Sequence, residues 1–162
     1  MVHNTSYLIH FPYFYRMIQR IQSLYLLLAA IAGAATWYFP LWHATLTNGT
    51  QVEFHAPQSY LLFIVLMIIV ALAAVSIFLY KNRKLQFRLT VLNVILAIAA
   101  TALQYIKVQA EGNQLQANNL GPVTASYLPA AFLPIVITVL LLLAARGIYK
   151  DEKLIKSLDR LR

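Results

Sequence analysis

Four stretches of this chain, residues 21–39, 60–80, 89–106 and 127–145, contain no Asp, Glu, Lys, Arg or His. At a helical rise of about 1.5 Å per residue, each has the length needed for a hydrocarbon core of roughly 30 Å. The segments between them are too short to build the soluble shell that four such helices would otherwise need. All four are therefore expected to be membrane spans. Composition agrees: 60% of the 162 residues are hydrophobic and 11% are charged, with mean hydropathy +0.66, whereas soluble domains carry about 25% charged residues. Four spans occupy about half of the chain, which leaves no room for a second, soluble domain.

The flanking charges give a direction. Arg16 and Arg20 precede the first span, Lys81, Arg83, Lys84 and Arg88 fill the turn between spans two and three, and Arg146, Lys150, Lys153, Lys156, Arg160 and Arg162 follow the fourth. Of the 13 basic residues only Lys107 falls on the other side. Lys and Arg resist translocation, so the basic side is expected to be cytoplasmic, and an even number of spans puts both termini there. Trp37, Tyr38, Phe39 and Trp42 suit the outer interface, Tyr80 and Tyr149 the inner one. The net charge of +8 is then a product of topology, and no nucleic-acid partner is expected.

The first 16 residues have neither a charged start nor a clean apolar core before Pro12, so they do not form a secretory signal. They are read as a tail that can lie along headgroups through Tyr7, Phe11, Tyr13, Phe14 and Tyr15, with Met17 as the expected natural start. Mass spectrometry of the native amino terminus tests that.

Two outer loops carry strand-like alternation. Residues 45–54 alternate on both sides of Asn48-Gly49, a pair suited to a type I′ turn, so a β-hairpin is expected there. A weaker version, residues 107–110 and 114–117 about Glu111-Gly112-Asn113, suggests a second hairpin. An isolated two-stranded ribbon is marginal in water, so the two are expected to pair as one cap. Asn48-Gly49-Thr50 and Asn4-Thr5-Ser6 fit the glycosylation pattern, but the turn explains the first. His43, Glu53 and His55 share the first loop without the fixed spacing of a metal site, and no metal is expected.

Ionisable residues inside spans usually mark function, and here there are none. The most polar residues are Asn93 and Gln104, which with Thr90 and Thr101 lie along one side of span three, with Ala97 and Ala100 between them. That side is expected to face the other helices, either as interhelical hydrogen bonding or as the lining of a path for a small polar solute. Small residues at four-residue spacing, Ala29 with Gly33 and Ala30 with Ala34, together with the alanines of spans two and three, favour close packing. Pro129 suits a first turn, and Pro134 should bend the fourth span near Ala130 or Ala131. Beyond it, Ile148, Leu154, Ile155, Leu158 and Leu161 can form a stripe opposite Lys150, Lys153, Lys156 and Arg160, with Glu152 four residues before Lys156. Such a basic amphipathic helix is expected to contact anionic headgroups of the inner leaflet.

Met17-Ile18-Gln19-Arg20-Ile21-Gln22-Ser23-Leu24-Tyr25-Leu26-Leu27-Leu28 and the ending from Lys150-Asp151-Glu152-Lys153-Leu154-Ile155-Lys156 to Arg162 resemble an uncharacterised four-span family of the Bacteroidetes, catalogued as a domain of unknown function. The resemblance covers Met17 to the end and leaves the first 16 residues outside. It implies a bacterial inner-membrane location, and brings no activity, ligand or functional residue with it.

The expected fold is an all-α membrane protein: a four-helix transmembrane bundle with a small extracytoplasmic β-hairpin cap and a C-terminal amphipathic helix. Residues 1–16 form the tail, 17–146 the spanning domain and 147–162 the basic helix. No cysteine is present for thiol chemistry, and no span holds a histidine for haem or a carboxylate for proton coupling. Only His43, Glu53 and His55 stand near one another as bases, so neither catalysis nor a cofactor is expected. The leading reading is a non-enzymatic accessory or scaffold subunit with membrane-protein partners; the alternative is a small oligomeric pore or carrier.

Overall fold

The computed structural model describes the backbone of residues 11–159 and the side chains of 21–154 and 157. Four helices, α1 (Phe11–Ala35), α2 (Tyr60–Phe78), α3 (Arg83–Ala117) and α4 (Leu133–Asp159), are joined by three strands, β1 (Trp42–Leu46), β2 (Gln51–Phe54) and β3 (Pro122–Tyr127). Three helical segments, Tyr60–Lys81, Arg83–Ala117 and Pro129–Leu154, are long and apolar enough to cross a membrane, and Ile21–Ala35 is a shorter apolar helix. α1 packs on α2 and α4, and α3 packs on the same two. The strands collect at one end, and among the described residues every Lys and Arg side chain except Lys107 lies toward the other.

The core is built from Leu26, Leu62, Leu66, Ile69, Ala97, Ala100, Ile137 and Leu141. Around it, large apolar residues on every helix point outward: Leu24 and Ile31 of α1, Ile64 and Val75 of α2, Ile95 and Ile98 of α3, Val139 and Leu142 of α4 are each 48–59% exposed. Meanwhile Thr36, Ser76, Gln86, Thr90, Asn93 and Gln104 are buried. Apolar-out and polar-in is the reverse of what water selects.

The first span was expected over 21–39, but α1 stops at Ala35. Thr36 Oγ1 donates to the Gly33 carbonyl at 2.6 Å, and Trp37 to Phe39 lie in the turn that follows. Trp37 there meets Phe63 edge-on with centroids 5.1 Å apart.

At the strand end, β1 pairs with both β2 and β3, antiparallel, in the order β2-β1-β3. The first hairpin forms as expected, with Trp42 opposite Phe54 and Thr45 opposite Gln51. Its turn is not type I′. Only Gly49 has positive φ, at +81°, the Gly49 N–H donates to Leu46 O, and Leu46 N–H donates to Thr50 O. This is a three-residue loop whose left-handed third position closes a bulge, and Asn48 Oδ1 contributes by accepting from the Thr50 N–H at 3.0 Å. Gly49→Ala is expected to cost about 1 kcal/mol, because a Cβ is disfavoured at that φ although space is free around it; thermal denaturation checks the loss.

The second hairpin does not exist. α3 runs straight through residues 107–117 and ends in a Schellman motif: Leu120 N–H donates to Leu115 O, Asn119 N–H to Gln116 O, and Asn119 holds φ 57°. The alternation about Gly112 has a second, helical reading. Gln104, Val108 and Leu115 recur at helical spacing and pack inward, and Gln, Ala, Glu and Leu favour helix. A single glycine costs only about 1 kcal/mol against that. The third strand is instead β3, with Trp42 opposite Tyr127 and Ala44 opposite Ala125.

The expected break near Ala130 and Ala131 is a 3-10 turn, Pro129–Phe132, that feeds α4. Pro134 has no N–H to return to the preceding carbonyls, which explains why regular α geometry starts only there. The tail is not a separate helix: α4 continues unbroken from Leu133 to Asp159. Ile148 is buried but Leu154 is 47% exposed, so the two do not share one buried stripe. Residues 11–16, read as a tail, are already helical.

Candidate functional site

Two sets of buried polar side chains stand out. The first is a seam along α3. Gln86, Thr90, Asn93, Ala97, Ala100, Gln104 and Val108 are all buried, and their steps of three or four residues keep one line of the helix against its neighbours. Gln86 Nε2 donates to Ser76 O of α2 at 2.9 Å, Asn93 Nδ2 to Ile69 O of α2 at 3.0 Å, and Gln104 Nε2 to Ala131 O in the turn before α4 at 2.9 Å. A carbonyl can only accept, so the NH2 of each amide must face it. The oxygens of Asn93 and Gln104, and the Ser76 hydroxyl, are then buried without a partner among the described residues.

The structure brings Thr90, Asn93 and Gln104 together on the seam and leaves Thr101 off it. Its Oγ1 donates to Ala97 O of its own helix, and with Thr138 it borders a shallow apolar groove between α3 and α4. Thr138 likewise donates to Pro134 O. Gln86 was missed because it stands among Lys84, Arg88 and other basic residues, although its place four before Thr90 was the available signal.

The second set lies at the basic end. Asp151 of α4, 3% exposed, accepts through Oδ2 from Gln22 Nε2 of α1 at 2.8 Å and from Arg83 Nη1 of α3 at 3.1 Å. One carboxylate therefore joins three helices. α4 lies close against α1 here: a Cβ placed on Gly147 would lie 2.7 Å from Gln22 Cγ. At the same end Phe87 of α3 and Tyr149 of α4 meet with ring centroids 5.9 Å apart, tilted by 40°. Lys150 and Lys153 are exposed on the other side of α4; the Lys156 side chain and Arg160 lie outside the described residues.

In the outer loop, His55 Nε2 is 3.4 Å from Glu53 Oε2, while His43 lies beside Ser126, with Nε2 3.3 Å from Oγ. Among the described residues no three His, Cys, Asp or Glu gather where a metal ion could be held.

No curated protein matches the chain. A family model matches residues 18–161, nearly the whole sequence and all four helices from the first turns of α1 onward. The chain belongs to that family, described as the domain of unknown function DUF4293.

Proposed function

We propose that this is a multi-pass membrane protein of the bacterial inner membrane, with both termini cytoplasmic, acting as a non-enzymatic accessory or scaffold subunit. The observation that carries the reading is the inversion of the molecule: exposed Leu, Ile and Val around all four helices, and Asn93, Thr90 and Gln104 inside. In lipid the outward residues need no cover, and interhelical hydrogen bonds of about 1 kcal/mol each supplement packing. α3 spans about 52 Å over its 35 residues. With 89–106 in the hydrocarbon layer, its last eleven residues project about 16 Å beyond, level with the sheet. At the other end α4 continues out of the layer, so Lys150 and Lys153 reach headgroups as snorkelling side chains of an emerging helix rather than from one lying flat.

The scaffold reading is favoured over a pore because the amides of Asn93, Gln104 and Gln86 bond to backbone carbonyls of α2 and of the turn before α4. The N–H groups are committed to neighbouring helices and hold them together, and the amide oxygens left over are buried, out of reach of a permeant. Replacing both Asn93 and Gln104 by Leu is expected to change stability by no more than about 1 kcal/mol per site, since each change removes one hydrogen bond and one unpaired oxygen together. Thermal unfolding measures this. Proteoliposomes should show no solute flux dependent on the wild-type protein, whereas a flux that the double variant abolishes would establish the pore instead.

A further inference from the structure

At the strand end the last turns of α3 stand over β3, and between them lies a cleft of about 270 Å³. One wall is Gln109, Asn113 and Gln116; the other is Ala125 and Tyr127 of β3 with Trp42 of β1. Trp42 and Tyr127 are directly opposite in the antiparallel ladder, and the two-residue period puts both on one face with Ala125. Tyr127, 43% exposed, offers its ring to the cleft, while Trp42, 5% exposed, backs the floor from within the core. On α3, positions 109, 113 and 116 follow four- and three-residue steps and so share a face.

These three amides differ from those of the seam. Gln109, Asn113 and Gln116 are exposed, and among the described residues their side chains have no hydrogen-bond partner. No charged side chain lines the cleft. Gly112 borders it too, and a Cβ there would meet nothing within 4 Å. Packing therefore does not require the glycine, which costs the helix about 1 kcal/mol relative to alanine; what its missing side chain leaves open is the cleft.

An amide offers two donors and an acceptor from one small group, which matches a hydroxyl that must both donate and accept. Aromatic faces suit the C–H side of a sugar ring. Walls without charge give no advantage to phosphates, carboxylates or amines. The volume falls just under the roughly 300–1,000 Å³ of small-ligand sites, enough for a ring or two. We infer that this cleft binds a neutral saccharide, its ring over Tyr127, with Trp42 as the buried backing of that floor, and its hydroxyls on Gln109, Asn113 and Gln116. An extended peptide pairing with the free edge of β3 is the rival occupant. Strand addition uses backbone groups and calls for neither an aromatic floor nor unpaired amides. The inference goes beyond the membrane reading and does not depend on which way the chain faces.

The test uses purified full-length protein in a detergent without a sugar headgroup, because alkyl glycosides would compete. It is applied to an array of neutral oligosaccharides and, in parallel, to an array of extended peptides, with the strongest hit titrated calorimetrically. Binding of a saccharide is expected, weakened about tenfold or more by Gln109→Ala with Asn113→Ala and equally by Gly112→Leu, which fills the cleft. Both variants alter only exposed or open positions, and an unchanged melting temperature verifies that they fold. No saccharide bound at millimolar concentration, saccharide binding indifferent to both variants, or binding of peptides alone would each overturn the assignment.

Discussion

Asp151→Ala is expected to destabilise the protein by about 3 kcal/mol, at the lower end of the cost of breaking a buried ion pair. The carboxylate is 4% exposed in its side chain and Arg83 is 17% exposed. Removing it leaves a largely buried guanidinium without that counter-charge and takes the acceptor from Gln22 Nε2. The loss falls on three helices at once. It is measured as a drop in the thermal midpoint of detergent-solubilised protein, and a double-mutant cycle with Arg83→Ala should give a coupling of at least about 1 kcal/mol. An unchanged midpoint in Asp151→Ala would mean that the node holds nothing together. Asp151→Asn keeps an acceptor for Gln22 and should recover part of the loss, separating the hydrogen bond from the charge.

Gly33→Leu should be comparably damaging at the other end of α1. A Cβ at residue 33 would lie 2.5 Å from Val70 Cγ2 of α2 and 3.8 Å from Ile137 Cδ1 of α4. Even alanine forces α1 and α2 apart or Val70 out of its rotamer, at about 1–3 kcal/mol, and leucine adds a branched chain to the same contact. Because the obstacle is one methyl group, Val70→Ala should recover most of the loss in Gly33→Ala and less in Gly33→Leu. A Gly33→Leu protein as stable as the wild type would show that α1 and α2 are not in close contact at this position.

The helices were legible because uncharged runs of that length admit few other structures, and the seam because amides are rare enough in such runs to be noticed. Asn93, Gln104 and Thr90 were therefore found, while Thr101 was misassigned to the seam because it is adjacent to Ala100, which does lie there. What the sequence concealed was set by partners far along the chain. Gln22 and Asp151 are separated by 129 positions, and nothing local marks either; Asp151 resembles any solvated acid in a basic tail. The second hairpin failed for another reason. Short stretches such as Val108 to Leu115 satisfy both a two-residue and a 3.6-residue period, and the choice was made by continuity with the helix already under way. β3 precedes the expected fourth span and overlaps it only at Tyr127, the first residue expected in that span, which is instead a strand residue opposite Trp42.

The absence of cysteine makes the central proposal directly measurable. Single cysteines introduced as Thr47→Cys in the β1–β2 turn and Ser157→Cys in the last turns of α4, both exposed positions, are probed in spheroplasts with a membrane-impermeant maleimide. The account predicts that residue 47 reacts in intact spheroplasts and residue 157 only after lysis, with the protein kept in the membrane pellet through alkaline carbonate. Labelling of residue 157 from outside, or a protein that leaves the pellet without detergent, would contradict it.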